Sequence, residues 1–278
     1  MSPTTLVEVK RHSPTVGNQQ RQKASSDQKL PTTTTISSRI SRSQAARNLL
    51  HANALSSTRF MQQYIPAPSQ TFTTQDGSST YTYTFKRTQD LTPEEKEACF
   101  QIIKETSRRD YEANAEEGWD DKRKREEMGE EGMKFVLVRE APRTPQEGEK
   151  MSDMPSQPLF APPLKATTDT DDTILGFTSF TLELDPDTRI PQLYIYEIHL
   201  LPPLRRQGIG RHLMSLNETI ARNLGLEKCI LTVFTCNVRA EALYRALGYT
   251  EDEDSPKERV LRSGKVVRPK YLILSKEV

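Results

Sequence analysis

The sequence predicts one α/β domain, a mixed central sheet flanked by helices, with a disordered N-terminal tail and an inserted loop. Three observations carry this expectation. Strand-like and helix-like runs alternate from residue 43 to residue 278. The mean hydropathy of −0.70 is low for 278 residues, and the polarity is local. Residues 1–42 are rich in Ser, Thr, Gln, Arg and Lys and cannot bury enough apolar surface to offset the entropy of ordering. Residues 141–172 are proline-rich and aperiodic, yet strand-like runs flank them. The stretch therefore reads as an insertion within one domain, residues 43–278, rather than a boundary between two.

Composition narrows the function classes. No apolar run approaches bilayer-spanning length, and the N-terminus lacks the apolar stretch of a signal peptide. Cys99, Cys229 and Cys236 are sparse and odd in number, as expected of a reducing compartment. Their spacing fits no zinc motif, so no metal is expected. Cys229 and Cys236 read as buried free thiols. A net charge of +1 argues against nonspecific nucleic-acid binding.

The elements follow in order. Residues 43–64 carry Ala46, Leu49, Leu50, Ala54, Leu55 and Met61 at helical spacing, with a break near Ser56-Ser57. Residues 81–87, YTYTFKR, alternate like a strand. Thr92, Pro93 and Glu95 form a helix start with a capping box. The basic run KRKR at 122–125, among Asp120, Asp121, Glu126 and Glu127, reads as a solvated helix face, with nuclear import as a weaker alternative. Strands are expected at 133–140 and 173–184, paired as a hairpin, and at 192–201. A helix over about 208–223 comes next, then a strand at 228–235 buried on both faces. A helix at 237–249 stops at Gly248. Two strands across a Ser-Gly-Lys turn close the chain.

The stretch LRRQGIGRHL, residues 204–213, joins a strand to a helix. Free N–H groups at a helix N-terminus, with the positive end of the macrodipole, attract anions. Gly208 and Gly210 allow close backbone approach, and Arg205 and Arg206 add positive charge. A helix start merely softened by glycine remains the alternative. The pattern lacks the third glycine of a dinucleotide fingerprint and the Gly-Lys-Ser/Thr of a P-loop.

The series strand–RRQGIG–helix–strand–Asn–helix–LGY resembles the acetyl-CoA-binding half of the GCN5-related N-acetyltransferase (GNAT) superfamily. The segments RDYEANAEEGWDDKRKREEM (109–128), LYIYEIHLLPPLRRQGIG (193–210) and CILTVFTCN (229–237) are similar to the NatD-type N-terminal acetyltransferases. The similarity runs discontinuously over about residues 45–275. The 141–172 insertion and the divergent segment 256–270 before Tyr271 depart from it. The resemblance implies transfer of acetyl from acetyl-CoA to the α-amine of histone 4 and histone 2A tails beginning Ser-Gly-Arg-Gly. It places coenzyme A on Leu200, Arg205, Arg206, Gln207, Gly208, Ile209, Gly210 and Arg211, with the pyrophosphate in the loop from Arg205, and the pantetheine arm on Asn237. Tyr244 falls near the sulfur, where it would protonate or hydrogen-bond the thiolate; an ordinary core tyrosine is the alternative.

A peptide α-amine has a pKa of about 7.7–8.0 and must lose a proton to attack a thioester. Glu197, among apolar and aromatic neighbours expected to raise its pKa, is the first choice for the base; His199 is the second. His212 reads as surface. In an ideal strand Tyr194 and Tyr196 face away from Glu197, so a shared site requires a β-bulge, a common feature beside active sites. Backbone N–H groups freed near Leu200 and Leu201 would then receive the thioester oxygen. The resemblance sets Trp119 against the substrate's first residues, and Tyr271 would hydrogen-bond near the amine. Tyr194 and Tyr196 are candidates to line the substrate site, Tyr196 also as a catalytic residue, with a core position for one of the two as the alternative. Glu183 and Asp185 would pair with its third-position arginine. No cysteine or serine sits in a nucleophile context, so direct transfer in a ternary complex is expected. The implied protein is a monomer of nucleus and cytoplasm without nucleic-acid or membrane partners. Acetylation of lysine side chains or small amines, and a non-catalytic CoA-binding module, remain alternatives.

Overall fold

The computed structural model describes residues 40–114, 118–142 and 172–278. The expectations for the tail 1–42 and the insertion 141–172 lie almost wholly outside those residues. The described elements run α1 (Arg42–Ala54), α2 (Ser57–Tyr64), β1 (Thr71–Thr73), β2 (Thr80–Arg87), α3 (Pro93–Ala113), α4 (Asp121–Met128), β3 (Lys134–Glu140), β4 (Gly176–Leu184) and β5 (Pro191–Leu200). They continue with α5 (Ile209–Leu224), β6 (Lys228–Phe234), α6 (Val238–Ala246), β7 (Thr250–Glu251), β8 (Arg259–Val260), β9 (Val266–Val267) and β10 (Tyr271–Glu277). This is the mixed sheet flanked by helices that the sequence predicts.

Eight strands form the main sheet in the order β1-β2-β3-β4-β5-β6-β10-β7. All pairs are antiparallel except β5–β6. The β3–β4 hairpin pairs Lys134 with Phe180 through Val138 with Gly176, as the flanks of the insertion predict. The closing segment differs from expectation. β8 and β9 form a separate small hairpin, and a third strand, β10, enters the main sheet beside β6.

Local chemistry sets the helix ends. Ser41 and Ser56 accept from backbone N–H groups three residues on, so the break near Ser56 is a new N-cap that starts α2. Thr92 and Glu95 form the complete capping box of α3. α5 buries Ile209, Leu213, Leu216, Ile220 and Leu224, spaced three or four apart. At its end Gly225 takes φ +73° and donates to Ala221 O and Arg222 O.

Two apolar layers sandwich the sheet. One joins α1, α2, α5 and α6 to inward residues such as Val136, Ile195, Ile198 and Leu231. The other packs Cys99, Phe100 and Ile103 of α3 and Met128 of α4 on Phe135, Leu137 and Phe177. Burying each such side chain contributes about 1.5–3 kcal/mol. Cys99 and Cys229 are buried, but Cys236 is exposed, because it lies beyond the end of β6.

Candidate functional site

β5 and β6 pair only from Gln192–Lys228 to Ile195–Leu231. Past that point both strands continue, β5 to Leu200 and β6 to Phe234, without pairing, so a wedge opens between them. The register of β5 against β4 slips at the same place: Ser179 faces Glu197, but Phe180 faces Ile195. Tyr196 is the extra residue of a β-bulge. The bulge resolves the conflict over strand faces. Ile195 and Ile198 both point into the α5 layer. Tyr194 packs instead with Tyr196, Ile230, Tyr271 and Ile273, while Glu197 and His199 reach residues of α3 and α4.

The loop after β5 forms one wall of the wedge. Arg205 Nε donates to Leu200 O at 2.8 Å, folding the loop back on the strand end. Arg206 takes φ +64°, and Gly208, the N-cap of α5, takes φ +92°. A Cβ at Gly208 would lie 3.3 Å from the Phe72 ring. No side chain caps α5, whereas α1, α2, α3, α4 and α6 all have one. The first N–H groups of α5, from Ile209, Gly210 and Arg211, therefore face the wedge without an intrahelical acceptor. The Ile209 side chain is in the core, so only its backbone is offered. Gln207 is partly occupied: its Nε2 donates to Pro203 O at 2.7 Å and its Oε1 accepts from Tyr81 OH. A cavity of about 250 Å³ is lined by Leu200, Arg205, Arg206, Gly208, Gly210 and Arg211. A second, of about 770 Å³, lies between Phe72, Asp76, Arg206, Gly208 and Arg211.

Asn237 is the N-cap of α6: its Oδ1 accepts from Ala240 N, while its buried Nδ2 lacks a partner. Burial raises the pKa of the Asp110 carboxyl; the Asn237 side chain also lies against that carboxyl and lowers it in part. His212 is half-buried rather than on the surface, edge-on to Phe72 and beside Tyr83, and burial lowers its pKa. Leu201 cannot serve the thioester oxygen, because its N–H donates to Leu175 O at 2.9 Å.

At the bulge, Glu197 is 3 % exposed. Its Oε2 lies 2.5 Å from His199 Nε2. The other imidazole nitrogen, Nδ1, is 2.7 Å from Thr106 Oγ1, which also lies 2.7 Å from Ile102 O. Glu197 Oε1 accepts from Lys124 Nζ at 3.1 Å. Lys124 is 4 % exposed and also donates to Tyr111 OH at 2.5 Å and Glu127 Oε1 at 2.6 Å. The solvated-face reading of KRKR therefore fails at Lys124: α4 turns this residue inward while Lys122 and Arg125 stay outside. The expected rise in the Glu197 pKa is also corrected. Burial pushes it up, but Lys124 and His199 together hold it below the ordinary carboxylate value.

Aromatic rings cluster around Phe234 and Tyr194. Trp119 meets Tyr111 edge-on at 5.3 Å, and Tyr111 meets Phe234 at 5.3 Å. Tyr271 packs beside Phe234, and Tyr194 and Tyr196 lie 4.8 Å apart. Tyr194 OH and Thr232 Oγ1 are hydrogen-bonded at 2.6 Å. Tyr244 is 1 % exposed on α6; burial, then the Glu197 charge, raises its phenol well above the ordinary value. Glu183 accepts from Gln192 and Thr181 and stays partly exposed. Asp185 does not fit its expected role. It is fully buried, and its Oδ1 accepts from Asp187 N, Thr188 N and Thr188 Oγ1 to hold the β4–β5 turn. Sequence reasoning missed Tyr111, Lys124, Glu127 and Thr106. Their one signal was the α-helical spacing of Lys124 and Glu127, which periodicity alone does not turn inward.

The pattern of the acetyltransferase (GNAT) family matches residues 101–249, more than half of the chain and all of the wedge. The chain belongs to that family. It is 35 % identical over 103 residues to N-alpha-acetyltransferase 40 of Saccharomyces cerevisiae, a match covering 31 % of this chain and 36 % of that one. It is 28 % identical over 72 residues to the uncharacterized N-acetyltransferase YycN of Bacillus subtilis, covering 26 % and 46 %. The matches thus span less than half the length of these curated relatives. Among solved structures, Arabidopsis thaliana NAA60 in complex with acetyl-CoA aligns over 71 % of this chain and 99 % of its own, with TM-score 0.45 and 10 % identity. The GNAT domain of S. lividans PAT aligns over 77 % and 99 %, with TM-score 0.47 and 9 % identity. No described helix is long and apolar enough to cross a membrane. The described residues contain no group of three or more His, Cys, Asp or Glu side chains placed to hold a metal ion.

Proposed function

We propose that this GNAT protein transfers acetyl from acetyl-CoA to the α-amine of histone 4 and histone 2A tails beginning Ser-Gly-Arg-Gly, directly within a ternary complex. The observation that carries the chemistry is the wedge, with an uncapped helix N-terminus on one wall and the buried Glu197 carboxylate at its bulge. The partial likeness to N-alpha-acetyltransferase 40 supports the N-terminal specificity, and so does the cluster of Trp119, Tyr194, Tyr196 and Tyr271.

The roles follow from position. The N–H groups of Ile209, Gly210 and Arg211, with the guanidinium groups of Arg206 and Arg211, hold the pyrophosphate. Leu200, Arg205 and Gln207 shape the loop, and Asn237 Nδ2 donates to the pantetheine arm. Glu197 Oε1 takes the proton of the amine. Tyr196, at the bulge, sits over the reacting centre. Tyr244, a phenol that burial holds neutral, hydrogen-bonds the departing sulfur, which takes the second proton lost by the nitrogen and leaves as the thiol. Glu183, in place of the buried Asp185, meets the third-position arginine. The protein acts as a monomer in nucleus and cytoplasm.

Intact-mass analysis tests this. Peptides beginning SGRGK are incubated with the protein and acetyl-CoA, with open and pre-acetylated N-termini. The open peptide gains one acetyl group and the blocked peptide none; acetylation of the blocked peptide's lysine overturns the N-terminal reading.

A further inference from the structure

At neutral pH an α-amine arrives largely as an ammonium, with a pKa of about 7.7–8.0. Its acetylation converts ammonium and thioester to amide, thiol and one free proton. That proton must leave a carboxylate, Glu197, that is 3 % exposed.

The two oxygens of Glu197 lead in different directions. Behind Oε2 stand His199, fully buried, and Thr106, 2 % exposed, whose hydroxyl faces the carbonyl of Ile102 inside α3. That arm ends in the core. On the Oε1 side stands Lys124, and beyond it Glu127, whose side chain reaches the surface at 12 % exposure. Lys124 Nζ donates to Glu197 Oε1, Tyr111 OH and Glu127 Oε1.

We propose that Lys124 and Glu127 form the proton exit of the active site. The proposal rests on Glu197 being the base. After Glu197 Oε1 takes the amine proton, Lys124 Nζ gives one proton to Glu127 Oε1 and receives the one from Glu197. Glu197 is left ionised, Lys124 is again an ammonium, and Glu127 releases the proton to solvent. No heavy atom leaves hydrogen-bond distance. His199 and Thr106 are positioning residues that fix the other oxygen.

The experiment compares Glu127→Gln, Lys124→Arg and Glu197→Gln on an N-terminal peptide substrate, reading kcat, KM and the dependence of kcat on buffer concentration. Arginine keeps a cation beside Glu197 but does not release its proton. Glu127→Gln and Lys124→Arg are expected to lower kcat about 10–100-fold with KM nearly unchanged. In Glu127→Gln, kcat should then rise with the concentration of a small carboxylate such as formate, a response that a purely structural loss does not produce. Wild-type kcat in both variants, or reduced kcat indifferent to formate in Glu127→Gln, overturns the exit. Full activity in Glu197→Gln instead overturns the reading of Glu197 as base.

Discussion

The two walls of the wedge are built in opposite ways. The loop wall comes from one short stretch, residues 200–211, and its chemistry is backbone chemistry: two positive-φ residues and a helix start without a cap. The Glu197 wall is assembled from three elements far apart in sequence, with partners 13, 73 and 93 residues from one another. Its chemistry is that of buried side chains. A local site tolerates change in its surroundings and is sensitive to its own backbone. A dispersed site depends on the packing that brings α3 and α4 onto β5.

The sharpest test of this contrast is Glu197→Gln. Glutamine keeps the shape but cannot accept a proton, so kcat should fall by about 10²–10⁴-fold. Binding of CoA, measured by isothermal titration, should stay within a few-fold, because the loop wall shares no side chain with the cluster. A large loss of CoA affinity would show that the walls are one site.

The converse variant is Gly208→Val. Its φ of +92° is strained for a β-branched residue, and the added Cβ meets the Phe72 ring at 3.3 Å. CoA affinity is expected to drop about 10–100-fold, a cost of about 1–3 kcal/mol in the cradle. Gly210→Ala tests the same wall more gently, since its Cβ meets only Leu200 and Leu243 at ordinary contact distance. Equal effects from the two glycines would refute the importance of the left-handed turn.

These contrasts also explain what could be read in advance. The loop, the capping box at Thr92 and the β3–β4 pairing are local patterns, and each has a fixed structural consequence. The bulge at Tyr196 is required by Glu197 sharing a face with Tyr194, yet its position depends on the β4 register and is invisible in β5 alone. Lys124 reads as solvated because a charged helix run ordinarily is; only the closure of Tyr111 and Glu197 around it makes an inward lysine stable. Asp185 is hidden from sequence for the opposite reason. An acid two residues after Glu183 looks like a second substrate contact until the turn claims it.

A smaller effect on the same wall comes from His199→Gln. Glutamine can still donate to Glu197 but lacks the imidazole that, with Lys124, holds the carboxyl down. With that contribution removed, burial acts more strongly and the Glu197 pKa rises. Its folded value is depressed, so the favourable contribution of ionised Glu197 is present above the unfolded carboxylate pKa and fades as pH falls through the folded value. The acid limb of kcat/KM in the variant should therefore move to higher pH, with several-fold lower activity at its foot and little change above neutrality. An unmoved limb would mean that His199 contributes only packing.

The smallest effect on activity belongs to a second buried lysine that lacks carboxylate partners. Lys134 donates to Asn53 Oδ1 and Gly132 O, and burial lowers its pKa to about 8, with a lesser push from Arg87. Lys124, equally enclosed, is flanked by two carboxylates. Below pH 8, Lys134 is charged in both folded and unfolded chains, and the folded state bears the full cost of burying that charge. Between about 8 and the unfolded value near 10.4, the unfolded chain binds more protons, so stability should rise with pH. The wild type should gain on the order of 3 kcal/mol across that window relative to Lys134→Met, measured by denaturant unfolding at each pH, while kcat stays unchanged. If the two proteins show parallel pH–stability curves, Lys134 is already neutral or solvated, and the carboxylates around Lys124 are not what separates the two lysines.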